Sequence, residues 1–122
     1  MRVYTSYYAK VSRHYDNARV LVRISKSKPA WFTEYTYELE CLYPHWDLIQ
    51  GLKSKNLNWD EYKERYLHQL SFLSRNDIIK MLEKISIENG GKDIVLLCWE
   101  GPEEHCHRHL VAEWLDYDIT EL

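Results

Sequence analysis

Only four glycines and three prolines interrupt the 122 residues, and no low-complexity stretch occurs, which leaves little material for a disordered tail. No run of eighteen apolar residues is present, so a transmembrane helix is excluded. The opening MRVYTSYYAK lacks the apolar middle of a signal peptide, and the expectation is a cytoplasmic protein with no membrane partner. An excess of positive charge is also missing. Sixteen Lys plus Arg face nineteen Asp plus Glu, a net charge of −3, which argues against generalised electrostatic binding to nucleic acid or acidic membrane. No internal repeat points to a solenoid. Cysteine is scarce too: three residues, an odd count, in a chain long enough to fold without staples. Reduced thiols in a reducing compartment are expected.

What the chain does have is aromatic surface. Ten tyrosines and five tryptophans, within 45% hydrophobic residues, can fill one core and line one groove. At 14.8 kDa the length suits a single domain, residues 1–122. Exposed aromatics serve a groove or a dimer contact equally well, so the oligomeric state stays open.

Residues 2–7 (RVYTSY) are rich in β-branched and aromatic types and read as a strand leading into a loop. A second strand is expected over 19–25, where ARVLVRIS has the continuous apolar character of a buried strand. Residues 26–44 show no clean period and read as a long loop or short aromatic segment, followed by a helical turn near 46–52. Asn58 with Glu61 makes a capping-box start for a helix over 59–73, with Trp59, Tyr62, Tyr66, Leu67, Leu70 and Leu73 as its apolar stripe. Ser74 with Asp77 repeats the signal for a helix over 75–89. Ile78, Ile79, Met81, Leu82 and Ile85 should bury, and Gly90-Gly91 should stop it. Asp93 to Cys98 is an unbroken apolar run, as in a central parallel strand, and a helix is expected over 105–116. The resulting fold class is α/β: a compact three-layer domain with a short, mainly parallel sheet and helices on both faces. Ligands in such sheets sit beyond the carboxyl ends of the strands.

That edge is where chemistry-bearing residues concentrate. Cys98, Glu100, His105, Cys106, His107, Arg108 and His109 fall at the expected strand-to-helix turn. Helix N-termini attract anions and stabilise thiolates. Cys106, His107 and Glu100 are therefore the candidate catalytic residues, with Cys106 as nucleophile or redox thiol and His107 or Glu100 moving the proton. Arg108 and Cys98 are candidates for substrate binding. On a helical wheel Cys106 lies about 40° from Leu110 and about 80° from Trp114, so an ordinary buried thiol is the competing reading. Arg108 projects about 200° from Cys106, where a solvated arginine is the bland alternative. Glu103 and Glu104 suit a helix start. His105 and His109 stand at i and i+4, a spacing found in zinc-binding helices, with Cys98 or Cys106 completing the set. Thr5, Ser6, Tyr7 and Tyr8 follow the first strand and should reach the same edge; Thr5, Ser6 and Tyr7 are taken as binding residues. Arg23, Lys26 and Lys28 with Trp31 combine charge and ring surface, as in a nucleotide site or in a basic turn lidded by Trp31.

These residues also carry a family resemblance. Val95-Leu-Leu-Cys-Trp-Glu100, then Cys106-His-Arg108, then Leu110-Val-Ala-Glu-Trp-Leu115, resembles the signature of the "domain of unknown function 488" family. Tyr4-Thr-Ser-Tyr-Tyr8, Ile24-Ser-x-x-x-x-Pro29-x-Trp-Phe32, Tyr62 and Tyr66 are similar to one subgroup, so the likeness spans nearly the whole chain. The resemblance implies a compact α/β fold with Cys98, Glu100, Cys106, His107 and Arg108 as its site-like residues, and no particular reaction. His105 and His109 fall outside the pattern, which weakens the zinc pair.

Three functions remain in play. The first is an enzyme or binder of a phosphorylated or nucleotide-like anion, using a Cys-His-Arg site at a helix N-terminus. The second is a metal-binding domain built on Cys98, His105, Cys106 and His109. The third is a non-catalytic interaction module whose cysteines are merely buried. No cofactor is assigned.

Overall fold

The computed structural model describes residues 1–15, 17–99 and 105–122. Along the chain run β1 (Val3–Tyr7), α1 (Tyr8–His14), β2 (Arg19–Arg23), β3 (Tyr37–Glu38), a single 3₁₀ turn (Glu40–Leu42) and α2 (Trp46–Lys53). These are followed by α3 (Trp59–Leu70), α4 (Arg75–Glu88), β4 (Asp93–Cys98), α5 (His107–Leu115) and β5 (Ile119–Glu121). The strands form one parallel sheet in the order β3-β2-β4-β1-β5. The central position of β4 explains its composition. It is hydrogen-bonded on both edges and covered on both faces, so every residue from Ile94 to Cys98 is buried.

The two faces are covered unequally. Val20, Val22, Ile94, Leu96 and Cys98 pack against Leu48 of α2, Tyr62, Tyr66 and Leu70 of α3, Ile78 and Leu82 of α4, and Leu110 and Val111 of α5. Leu21, Val95 and Leu97 point the other way, onto Tyr8 and Val11 of α1 and onto Phe32. A seven-residue helix cannot shield that face alone, and the Tyr8 and Phe32 rings meet edge-on at 5.0 Å to extend the cover. The α/β architecture, with a parallel sheet and helices on both faces, is therefore as the sequence implies.

Local signals set most boundaries. Asn58 and Glu61 form a reciprocal capping box, and the Ser74 side chain accepts from the Asp77 N–H. Gly90 and Gly91 end α4 with φ of 73° and 81°, a conformation a side chain would strain. Differences from expectation lie where signals are short. α1 forms where a loop was expected, because Tyr8 and Val11, three residues apart, bury on one face of a helix of about two turns. α3 ends at Leu70, its last fully buried residue, before reaching Leu73. Met81 is exposed rather than buried, since the face of α4 is centred on Ile78 and Leu82. β2 stops at Arg23, and α5 starts at His107 instead of 105. Within 26–44, Tyr37–Glu38 adds a strand beside β2. β5, too short to show a period, lines up on the outer edge of β1.

The topology creates a crevice. From β1 the chain leaves over the α1 face toward β2; from its neighbour β4 it leaves over the opposite face, by α5, toward β5. Right-handed crossovers in opposite directions must use opposite faces. The loops therefore part above the adjacent strand ends Tyr7 and Cys98, which are paired in register.

Candidate functional site

Cys98 closes β4 and Cys106 is the N-cap of α5, in extended conformation (φ −143°, ψ 142°). The eight-residue step between them brings their sulfurs into a disulfide, with Cα atoms 7.2 Å apart. The expectation of unpaired reduced thiols is thus corrected for these two: strand end and helix start converge because α5 packs back over β4. Both are buried, Cys106 at 2% exposure. Cys106 is a cap residue rather than a member of the open first turn. Cys41 alone is a free, exposed cysteine, and partial burial raises its thiol pKa.

His107 is the hinge of the site. Its Nε2 donates to the carbonyl of Ile24 at 2.6 Å, because a carbonyl oxygen can only accept. In the neutral ring, Nδ1 then carries the lone pair, and it lies 3.7 Å from Cys98 Sγ and 3.9 Å from Cys106 Sγ. The edge of the Tyr66 ring closes one side, with centroids 5.5 Å apart. Burial lowers the His107 pKa to about 4; the Ile24 hydrogen bond opposes this and the Arg108 charge adds to it. The imidazole is neutral at pH 7.

Arg108 departs most from the surface arginine that a helical wheel allows. It is fully buried. Its Nε contacts Glu121 Oε1 and Oε2 at 3.1 and 3.2 Å, and Nη2 reaches Oε2 at 3.1 Å. The guanidinium carbon sits 5.4 Å from the Tyr7 ring centre, and Nη1 lies 3.9 Å from Cys98 Sγ. Glu121 belongs to β5, so the carboxylate that makes this burial tolerable was invisible without that strand.

The first-strand residues separate by the two-residue period of β structure. Thr5 Oγ1 donates to Glu121 Oε1 at 2.5 Å and Tyr7 lies against Arg108, so both reach the α5 side. Ser6 points to the α1 face, which corrects its expected approach to the same edge. Its hydroxyl is buried with no hydrogen-bond partner among the described residues. Tyr8 donates to Ser25 Oγ at 2.6 Å, and that hydroxyl donates to Ser27 O at 2.7 Å.

A cavity of about 450 Å³ opens at this edge, lined among others by Ser25, Lys26, Lys53, Tyr62, Trp99 and His107. Trp99 Nε1 donates to Ser27 O at 2.9 Å, tying the end of β4 to the loop after β2. Lys26 Nζ sits 5.0 Å over the Trp46 ring. The other residues of the basic turn do not gather here. Arg23 pairs with Glu38 at 2.7 Å and with Tyr43, and Trp31 is 55% exposed against Phe32, not a lid.

The His105/His109 pair does not form one helix face, because α5 begins between them. His105 stacks on Trp59 at 4.5 Å, while His109 lies on the exposed side of α5, its pKa lowered by partial burial. His107 takes the place next to the sulfurs instead. Cys98, Cys106 and His107 present ligand atoms all within 4.8 Å of one another, a set that could hold a metal ion only with the cysteines reduced. Glu100, Glu103 and Glu104 lie outside the described residues. Lys53, Tyr62 and Trp99 were not singled out for the site by sequence; Trp99 adjoins Cys98 and Tyr62 falls within the family resemblance, whereas Lys53 carried no signal.

A family model described as "DUF488-N3a: Active DUF488-N3 subclade" matches residues 4–118. No curated protein and no solved structure gives a significant match.

Proposed function

Since the chain belongs to the DUF488 family, matching its active N3 subclade over residues 4–118, we propose that it binds and acts on a phosphorylated or nucleotide-like anion in the cavity beside His107. The observation that carries this reading is one wall shared by two kinds of group. Lys26 and Lys53 supply positive charge and Tyr62 and Trp99 supply rings, while His107 connects the same space to the cysteine pair. Cavities at a parallel-sheet crevice are the usual ligand position in α/β folds. The word "active" in the family description favours catalysis over a passive interaction module.

In this reading Cys106 and His107 form the reactive centre, with Glu100 as a third catalytic residue and Cys98 as the partner sulfur. Arg108 is a positioning residue: held by Glu121 and Tyr7, it sets a positive charge beside Cys98. Thr5 and Tyr7 act through that same pair.

The test is calorimetric titration of the protein with adenosine monophosphate, beside Lys26→Glu and Lys53→Glu. Saturable binding that both substitutions weaken supports the reading. Binding that neither substitution changes removes the cavity from consideration.

A further inference from the structure

We propose that Cys98, Cys106 and His107, once the cysteines are reduced, form a site for a soft divalent cation, with zinc as the preferred ion. This deepens the reading above by naming what the sulfur–imidazole centre holds, and it stands on its own geometry.

Four observations converge. Two sulfurs and one imidazole nitrogen lie within 4.8 Å of one another, all buried. The imidazole is oriented by a backbone carbonyl on Nε2, which leaves Nδ1 as the donor atom toward the sulfurs. Such an outer hydrogen bond is the usual means of fixing a metal-binding histidine. Tetrahedral zinc with ordinary bond lengths puts nitrogen and sulfur ligands about 3.6 Å apart; with the sulfurs still bonded to each other, Nδ1 already lies 3.7 and 3.9 Å from them. Tetrahedral geometry also requires about 3.8 Å between the sulfurs. Cα atoms 7.2 Å apart are compatible with that sulfur separation.

The chemistry balances as follows. Two molecules of a small thiol reduce the Cys98–Cys106 bond, giving two protein thiols and one small-molecule disulfide. The cation then displaces one proton from each thiol, and His107 Nδ1 adds its lone pair without losing a proton. Among the described residues the set stops at three ligands. Three protein ligands with a fourth position left to water or substrate is the pattern of catalytic rather than structural zinc. His107 lies in the cavity wall, so the ion would stand at the ligand's edge.

The experiment uses the full chain, reduced and metal-free under anaerobic conditions, titrated with cobalt(II). Sulfur-to-cobalt charge transfer and tetrahedral ligand-field bands saturating at one equivalent are expected. Cys106→Ser and His107→Gln should each weaken cobalt binding at least ten-fold, about 1.4 kcal/mol or more, while Cys41→Ser leaves it unchanged. Should the variants fold poorly, zinc should slow alkylation of Cys98 and Cys106 in the reduced wild type and leave Cys41 reactive. Stoichiometry far below one, undiminished binding in both variants, or alkylation indifferent to zinc overturns the proposal. Adenosine monophosphate binding measured on oxidised, metal-free protein reports on the cavity separately, so either idea can fail without the other.

Discussion

The Nε2–H of His107 points at the carbonyl of Ile24, which follows β2, the immediate neighbour of β4 in the sheet, and this contact decides which nitrogen faces the cysteines. A sheet-edge carbonyl thereby fixes the tautomer of a buried imidazole. Its consequences can be measured.

The first concerns acid. Burial takes the His107 pKa from 6.5 down to about 4 in the folded chain. The unfolded chain binds that proton below pH 6.5, whereas the folded chain resists until about pH 4. His107 therefore contributes stability in full above pH 6.5, and the contribution is lost as the pH falls toward 4. Urea denaturation of metal-free protein should show this as a decline on the order of 3 kcal/mol across that window. His107→Leu should flatten the decline; an identical slope in the variant would assign the acid loss to other groups.

Arg108 and Glu121 give a second. Removing one partner of a fully buried pair costs several kcal/mol, and the 30% exposure of Glu121 reduces that. Glu121→Gln should destabilise the fold by about 2 kcal/mol, read from the urea midpoint at pH 7. A change within about 0.5 kcal/mol would mean that the pair behaves like a surface contact.

A third follows from Ser6, whose buried hydroxyl finds no partner among the described residues. Ser6→Ala removes a desolvated polar group without opening a large hole. Stability should be unchanged or rise by up to about 1 kcal/mol; a clear loss would show that the hydroxyl is satisfied in solution.

The cavity lysines supply a fourth. Each charge reversal, Lys26→Glu or Lys53→Glu, should weaken adenosine monophosphate binding about ten-fold at low ionic strength. The difference should shrink as salt is added, since these side chains are partly solvated. A salt-independent loss would point to altered cavity shape instead.

Much of the framework was legible from period and punctuation. The continuous run of β4, the caps at Asn58 and Ser74 and the glycine stop at 90–91 are local signals, and each appears in the fold. So was the position of the candidate centre, because Cys98, Cys106, His107 and Arg108 flank one strand-to-helix step. What sequence concealed was pairing across distance. Arg108 reads as an anion-binding or solvated residue until β5 places Glu121 beside it, and three residues of strand carry no period of their own. The lining from Lys53 and Tyr62 depends on how α2 and α3 fold over the sheet edge. His105 and His109 share a face only in a helix that begins at 105, and α5 begins at His107.

Cys98 is anchored by its neighbours in the sheet, whereas Cys106 and His107 are anchored by the packing of α5. The two halves of the centre thus owe their positions to separate foundations, one in the sheet and one in the helix layer. A shift of α5 over the sheet would therefore carry the capping sulfur and the imidazole away from the strand-end sulfur together.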